Sequence, residues 1–338
     1  MTRPLVRTSE RTTFTRCQQS WWWAYVEHLA PKTAAPPLRF GTLIHKALEL
    51  RYPPGIKRGP HPAQTFEQLY EDELKTQWEY GFKDEDGTWH DALELGVEMM
   101  NNYVDHFGED DEWEVIASEQ VFRVPIKIDR KVACYAVGTF DGVWRYRPNL
   151  RLFLNDYKTA KSIQTSHLLL DEQNGSYWAF APWWLRKQGI IGPNEDLEGI
   201  VYTFLRKAKR DDRPQNEAGL YLNKPTAKEL KEFGPDYPGS VSKNQPPPLF
   251  HREVTYRTPN DRAALIERFK LQFLRMQELR ANPDLVYKEP GRNSCSMCSM
   301  RDMCELHEVG ADWESFRDSV MKTWDPYADH EIYDEGKR

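Results

Sequence analysis

Two groups of residues in this chain have the types and spacing to do chemistry. The first is Asp141 followed by Asp156, Tyr157 and Lys158. Residues i and i+2 of a strand point to the same face, so Asp156 and Lys158 project together with Tyr157 opposite. Asp141 lies in Gly138-Thr139-Phe140-Asp141-Gly142, at the end or a bulge of the preceding strand, and joins them if the two strands form a hairpin. Two carboxylates on one sheet face suit a hard cation, Mg²⁺ or Mn²⁺. Such a cation activates water and stabilises charge on a phosphodiester oxygen. The adjacent lysine positions the water or neutralises charge growing in the transition state. Asp-x-Lys is also the spacing of an ordinary surface ion pair, so its context must carry the argument. The second group is Cys17 near the start and Cys295, Cys298 and Cys304 near the end. Four thiolates accept Zn²⁺ or a [4Fe–4S] cluster, and ligand chemistry alone does not choose. They form one centre only if the fold brings both ends of the chain together. Cys134 falls in a strand pattern and reads as a small buried apolar residue.

Strands must carry the carboxylates. Residues 115–125 and 132–146 alternate apolar and polar side chains, and 150–157 reads as a third strand. Residues 198–207 and 251–256 supply two more. Residues 12–30 read as a helix capped by Thr13 or Thr15, and 31–37 as a turn-rich link. Phe40-Gly41-Thr42 opens a helix over 43–52, with Leu43, Ala47 and Leu50 on one face. Residues 64–82 and 89–107 form helices with acidic, solvated faces. A long helix over 166–188, distorted near Pro182, follows the third strand, and 260–281 is an amphipathic, core-facing helix. Residues 208–249 are polar and rich in Pro and Lys, an insertion or mobile loop. The expected class is α/β (α+β), a mixed central sheet flanked by helices. The chain is read as one domain, 1–338, with a core of about 38–208, an insertion of about 208–249, a staple of 13–30 with 290–308, and an acidic tail of about 312–338.

Composition narrows the classes. No apolar run approaches the ~20 residues of a membrane span, and the polar first ten residues show no signal peptide. Five cysteines without a secretory signal favour a reducing, cytoplasmic setting, where clustered thiols bind metal rather than pair. A net charge of −6 argues against a basic architectural nucleic-acid binder, though not against an enzyme with a local basic groove. With 12 tryptophans, base stacking and core packing are both open uses for the aromatics.

The context of Asp-x-Lys is an ordered set: Gly41-x-x-x-His45, Gly138-x-x-Asp141, Asp156-x-Lys158 and Gln173-x-x-x-Tyr177. The set resembles the PD-(D/E)xK nuclease superfamily in its RecB-type branch. The four cysteines are similar to those of the iron–sulfur subset, which includes CRISPR-associated and phage RecB-like exonucleases and the AddB nuclease domain. The resemblance runs from Thr13 to Cys304. It implies a restriction-endonuclease-like core, with His45, Asp141, Asp156 and the main-chain carbonyl of Tyr157 as metal ligands and Lys158 as the catalytic lysine. It further implies that Gln173 and Tyr177 orient the site or hold DNA. Glu119 stands where the family often has a glutamate, as a second metal ligand or a structural ion pair. The cysteine split implies a [4Fe–4S] staple rather than zinc. Gln18 and Glu305 follow the first and last cysteines where related sequences often have proline.

Arg206, Lys207, Lys209 and Arg210 cluster after the fourth central strand, as a groove for phosphates or as a solvated loop. Trp21-Trp22-Trp23 and Trp183-Trp184 cannot each pack into one core, because consecutive helical residues point about 100° apart. There is no Walker A sequence, so duplex opening would fall to a helicase or recombination partner. The resulting expectation is a Mg²⁺/Mn²⁺-dependent DNA exonuclease acting on single-stranded or end-frayed DNA in phage recombination, repair or end processing, with oligomerisation open. A non-catalytic DNA-binding subunit and a zinc-stapled interaction protein are the rivals.

Overall fold

The computed structural model describes residues 3–32, 36–79 and 87–328. β1 (Leu5–Arg7) leads into α1 (Thr8–Arg16), α2 (Gln18–Trp21), a π-helical turn (Trp22–Val26) and β2 (Leu29–Pro31). Three helices follow, α3 (Pro36–Arg51), α4 (Pro62–Glu79) and α5 (Thr88–Phe107). Next come the long strands β3 (Trp113–Ile128) and β4 (Lys131–Tyr146), then β5 (Arg151–Ala160), α6 (Glu172–Lys187) and β6 (Leu197–Arg206). The chain closes with α7 (Ala227–Phe233), β7 (Phe250–Tyr256), α8 (Pro259–Ala281), α9 (Arg292–Ser296), α10 (Arg301–Glu308), α11 (Trp313–Val320) and β8 (Met321–Thr323).

Six strands form one mixed sheet. β3 pairs antiparallel along one edge of β4. The other edge of β4 is shared: β1 runs parallel to Tyr135–Val137, and β5 runs antiparallel from Gly142 to Tyr146. Between them Gly138–Asp141 has no strand partner on that edge among the described residues. β6 lies parallel to β5, and β7 closes the sheet antiparallel to β6. One face packs Phe122, Phe140, Leu154, Ile200 and Phe204 against α6 and α8. The opposite face packs Trp144, Phe153, Tyr157 and Val201 against α3, α4 and α5. The alternation of Leu152, Leu154 with Phe153, Tyr157 between the two cores shows why period-2 patterning located β5. Phe140 and Val143 enter the same core, so strict alternation lapses between them, but the bulge expected at Asp141 is not there: the irregularities in the β3–β4 pairing fall at Val115/Ala117 and Ile126/Lys127.

α8 begins with a capping box, Thr258 and Asp261, and has Pro259 in its first turn. Its buried Leu265, Phe269, Phe273, Met276 and Leu279 each contribute about 1.5–3 kcal/mol. Among the described residues no helix is long and apolar enough to cross a membrane.

Several element boundaries differ from expectation. The 12–30 helix begins at Thr8 and breaks at Cys17, whose φ of −166° is extended. Neither Thr13 nor Thr15 caps it; their hydroxyls instead bond carbonyls one turn back. The helix expected over 43–52 starts at Pro36, and residues 80–82 of the next lie outside the described residues. The helix expected from 166 starts at Glu172, because the Asp171 carboxylate accepts from the amides of Gln173 and Asn174 and so caps it there. It runs through Pro182, held between the sheet and α8. Within 208–249, α7 and bridges from Gln215 to Tyr221 and Leu222 to Val241 supply local order. The stretch read as a tail is structured to Thr323: β8 pairs antiparallel with β2, and Trp324 N–H donates to the carbonyl of His28.

Candidate active site

The gap on β4 is where the acidic residues meet. Asp141 stands at its end, one residue before pairing with β5 begins at Gly142 and Asn155. Its Oδ2 accepts the backbone N–H of Tyr157 at 2.8 Å, replacing the missing ladder bond with a side chain. The N–H and C=O of one strand residue leave on the same side, so the Tyr157 carbonyl also faces this gap. His45 reaches in from α3, with Nδ1 3.4 Å from the same Asp141 oxygen. α3 comes this close to β5 because Gly41 has no side chain; a Cβ there would lie 3.2 Å from Thr159 Oγ1. Lys158 Nζ lies 3.0 Å from Asp156 Oδ2 and hydrogen-bonds Oδ1 at 3.2 Å, so the pair projects together as period 2 requires. Asp156 Oδ2 is buried and lacks an aligned hydrogen-bond donor.

The electrostatics describe a site short of positive charge. Burial, with Asp141 adding to it, pushes the Asp156 carboxyl up to about 6 against the opposing pull of Lys158. Burial also opposes ionisation of Asp141, but His45, the Tyr157 amide and Lys158 outweigh it and hold the carboxyl below its ordinary value. Burial works against charge on His45, and Asp141 and Asp156 overcome it and raise the imidazole. Burial opposes the Lys158 cation as well, and the surrounding carboxylates raise it strongly. Glu119 falls between Ser118 and Gln120, which pair with Gly142 and Phe140, so it sits across from Asp141. Its carboxyl is raised by burial and by a hydrogen bond with Glu49. Glu49 is therefore part of the acidic group, one turn after His45 on α3. The i,i+4 spacing to His45 was the signal in the sequence that could have found it.

α6 covers this edge from the first face. Gln173 Nε2 donates to Tyr177 Oη at 3.4 Å, and the Tyr177 hydroxyl is raised by burial and senses Asp156 and Lys158. The Tyr177 ring packs on Phe122, with 5.4 Å between centroids, and over Gly138. α6 is tied to the N-terminal helix by buried Arg11, whose guanidinium donates to Ser176 Oγ at 2.7 Å, Glu172 Oε2 at 2.8 Å and Gln272 Oε1 at 2.6 Å. Composition gave no hint of Arg11; only the packing of α1 on α6 and α8 exposes its role.

The chain ends do meet. The amides of Gln18 and Gln19 donate to Glu289 Oε2 and the Tyr287 carbonyl, bringing Cys17 against the C-terminal segment. Burial raises the Cys304 thiol; Lys288 opposes this, and Cys17, Cys298 and Cys295 add to it, so the four sulfurs share one neighbourhood. The Gly291 amide lies 3.4 Å from Cys295 Sγ, and Ser20 Oγ lies 3.8 Å from Cys298 Sγ. The Gly291 amide donated to Cys295 Sγ suits a thiolate ligand of either centre considered. Cys134 is fully buried, as its strand position suggested. Among the described residues, no group of three or more His, Cys, Asp or Glu side chains is arranged to hold a metal ion as it stands.

Of the two readings of the basic residues at the end of β6, a phosphate groove or a solvated loop, the described contacts show them dispersed. Arg206 caps the carbonyls of Pro247 and Pro248, Lys209 pairs with Glu94 at 3.0 Å, and the Arg210 amide bonds Glu98. Lys207 alone among these four turns toward a recess beside β5, with Nζ 5.3 Å from the Phe40 ring centroid. The acidic side chains of α5 capture Lys209 and the Arg210 amide. Trp21 and Trp23 are both buried but in different cores, one with Phe14 and Met276, the other with Met300 and Met303. The π-helical turn after Trp21 changes the angular spacing that lets this happen. Trp184 is buried while Trp183 is substantially exposed.

A family model for the PD-(D/E)XK nuclease superfamily matches residues 8–305. The chain belongs to this superfamily. Its central mixed sheet flanked by helices is consistent with a restriction-endonuclease-like PD-(D/E)XK fold. Membership points to nuclease chemistry on DNA, with Mg²⁺ or Mn²⁺ as the metals such nucleases typically use. No curated protein matches the chain.

Proposed function

We propose that this chain is a divalent-metal-dependent DNA exonuclease of the RecB-like iron–sulfur kind, a single nuclease domain working in the cytoplasm on single-stranded or frayed ends. The observation that carries the reading is the meeting of His45, Asp141, the Tyr157 backbone and the Asp156–Lys158 pair at the gap between β1 and β5 on the β4 edge. The donor set of imidazole, carboxylates and a strand carbonyl fits Mg²⁺ or Mn²⁺, and the under-satisfied oxygen of Asp156 supports a cation there. His45, Asp141, Asp156 and the Tyr157 carbonyl would hold the ion, with Glu119 and Glu49 beside them. When bound, the metal supplies Lewis acidity at the phosphodiester and a more acidic water.

The chain's own residues do the rest. Asp156 orients Lys158 through their ion pair, leaving Nζ to face the attacking water and the phosphate oxygen that gains charge. The Tyr157 amide fixes the Asp141 carboxylate, and His45 lies against the same oxygen. Gln173 and Tyr177, hydrogen-bonded to each other, would hold the strand. Cys17, Cys295, Cys298 and Cys304 would hold a [4Fe–4S] cluster, or Zn²⁺, that fixes α1 against the C-terminal segment and so steadies α6 through Arg11. A helicase or recombination partner would supply unpaired ends to a chain without a motor.

The test is cleavage of end-labelled single- and double-stranded DNA by protein purified without oxygen, with Mg²⁺ or Mn²⁺, alongside iron and sulfide assays. Metal-dependent cleavage that disappears in Asp156→Ala supports the enzyme. Intact, cluster-loaded protein that cleaves neither substrate overturns it and favours a DNA-binding subunit. Zinc in place of iron and sulfide overturns the cluster assignment.

A further inference from the structure

Beside the acidic site, on the face of the sheet covered by α3, α4 and α5, lies a recess of about 640 Å³. Phe40 and Tyr70 are its buried aromatic lining, and half-buried Trp89 is the third ring. Tyr70 and Trp89 stand 5.8 Å apart between centroids. Lys161 and Lys207 bring positive charge, and Asp91 is the acid in the lining. Burial and the neighbouring Lys161 both lower the Lys207 ammonium, so these two cations crowd one another at the opening, and Arg39, paired with Glu73, is a third cation in the lining. Thr159, Ala160 and Lys161 also line the recess, and they follow Lys158 directly on β5. At ~3.3 Å per strand residue they lie about 3–10 Å along the strand from that lysine.

We propose that this recess is a nucleobase pocket, taking one unpaired base of a DNA strand next to the phosphate held at Asp156 and Lys158. The inference rests on the nuclease reading and narrows its substrate. Volume and composition fit: ligand pockets run about 300–1,000 Å³, are mainly apolar and carry few polar groups. A base offers a flat π-face to Trp89 and amino groups to Asp91, while its flanking phosphates are anions for Lys161 and Lys207. A base inside a duplex shows only its edges, so whole-ring entry requires an unpaired or extruded nucleotide. The pocket therefore selects single strands without reading much sequence, because every base has a π-face.

The experiment is abasic scanning. Fluorescence anisotropy measures binding of the full chain, in EDTA, to a labelled single strand carrying one abasic nucleotide at each successive position from its end. One position is expected to weaken binding about 5- to 150-fold, the range for loss of one base–aromatic stack. Trp89→Ala, which removes the ring, and Ala92→Trp, which fills the recess, should weaken binding of the intact strand by a similar factor. Neither should weaken the strand already abasic at that position any further. A flat scan with wild-type protein overturns the pocket, and so do variants that weaken intact and abasic strands equally. Asp156-dependent cleavage with a flat scan removes the pocket and leaves the nuclease reading. A base-dependent scan without cleavage keeps the pocket and removes the nuclease reading.

Discussion

Gly138 offers the most direct challenge to the geometry of the site. It lies on β4, in the stretch whose open edge forms the gap, and is not among the residues with positive φ. Its backbone therefore tolerates alanine, and relief of glycine's entropy penalty alone would make Gly138→Ala stabilising by about 0.5–1 kcal/mol. Packing argues for the opposite sign. The new Cβ would stand 2.7 Å from Tyr177 Cε1 and 2.9 Å from Phe122 Cε1. Both rings must retreat by roughly half an ångström or more into a close-packed core that does not yield easily. Overpacking of this kind costs about 1–3 kcal/mol, so the net expectation is about 0.5–2 kcal/mol of destabilisation once the entropy gain is subtracted. At about 2.1 cal/mol/K per residue, this chain unfolds with an entropy of about 0.7 kcal/mol/K, and the shift is roughly 1–3 °C downward. The assay is thermal unfolding of Gly138→Ala, Phe122→Leu and the double variant. If the clash is the cause, the double variant is more stable than the sum of the single effects, because leucine vacates part of the space. A Gly138→Ala protein as stable as wild type, or strict additivity in the double variant, would refute the claim that Gly138 makes room for Tyr177.

Other perturbations follow from the same contacts. Arg11→Met removes three hydrogen bonds from a buried guanidinium, while Glu172 keeps Arg268 as a partner and so is not orphaned. A loss of about 2–3 kcal/mol, or about 3–4 °C, is expected by calorimetry, and a shift under about 1 °C would deny the link between α1 and α6. Cys304→Ser is expected to lose bound iron and to melt lower. A site filled about a hundredfold above its dissociation constant contributes about 2.7 kcal/mol, or about 4 °C here; full iron retention would contradict the four-cysteine assignment. Asp196 is held below the ordinary carboxylate value: partial burial opposes ionisation, but Arg262 and the Leu197 amide outweigh it. With the folded value depressed, its contribution is present above the unfolded carboxylate range and lost as pH falls through the folded value. The Asp196–Arg262 pair is partly exposed, so about 0.2–1 kcal/mol is at stake. Wild type should lose more stability on acidification than Asp196→Asn in chemical denaturation at successive pH values, and parallel curves would contradict the pairing.

The strands were legible because local periodicity records which side of a sheet each residue buries. β5 could be read from Leu152 to Lys158 alone, and with it the shared face of Asp156 and Lys158. α8 was equally plain, since its cap and apolar stripe are both local signals. The open edge of β4 was not, because it depends on where β1 stops and β5 begins, segments more than a hundred residues apart in the chain. That gap turns three separate motifs into one constellation and brings Glu119 and Glu49 into it. The dispersal of the basic residues was likewise decided by tertiary neighbours: α5 acids hold Lys209 and the Arg210 amide, proline carbonyls hold Arg206, and the Phe40 ring lies under Lys207. Composition and spacing specify which groups can react. Long-range pairing decides which of them share a low-dielectric space, and only there do charges perturb one another strongly enough to make a site.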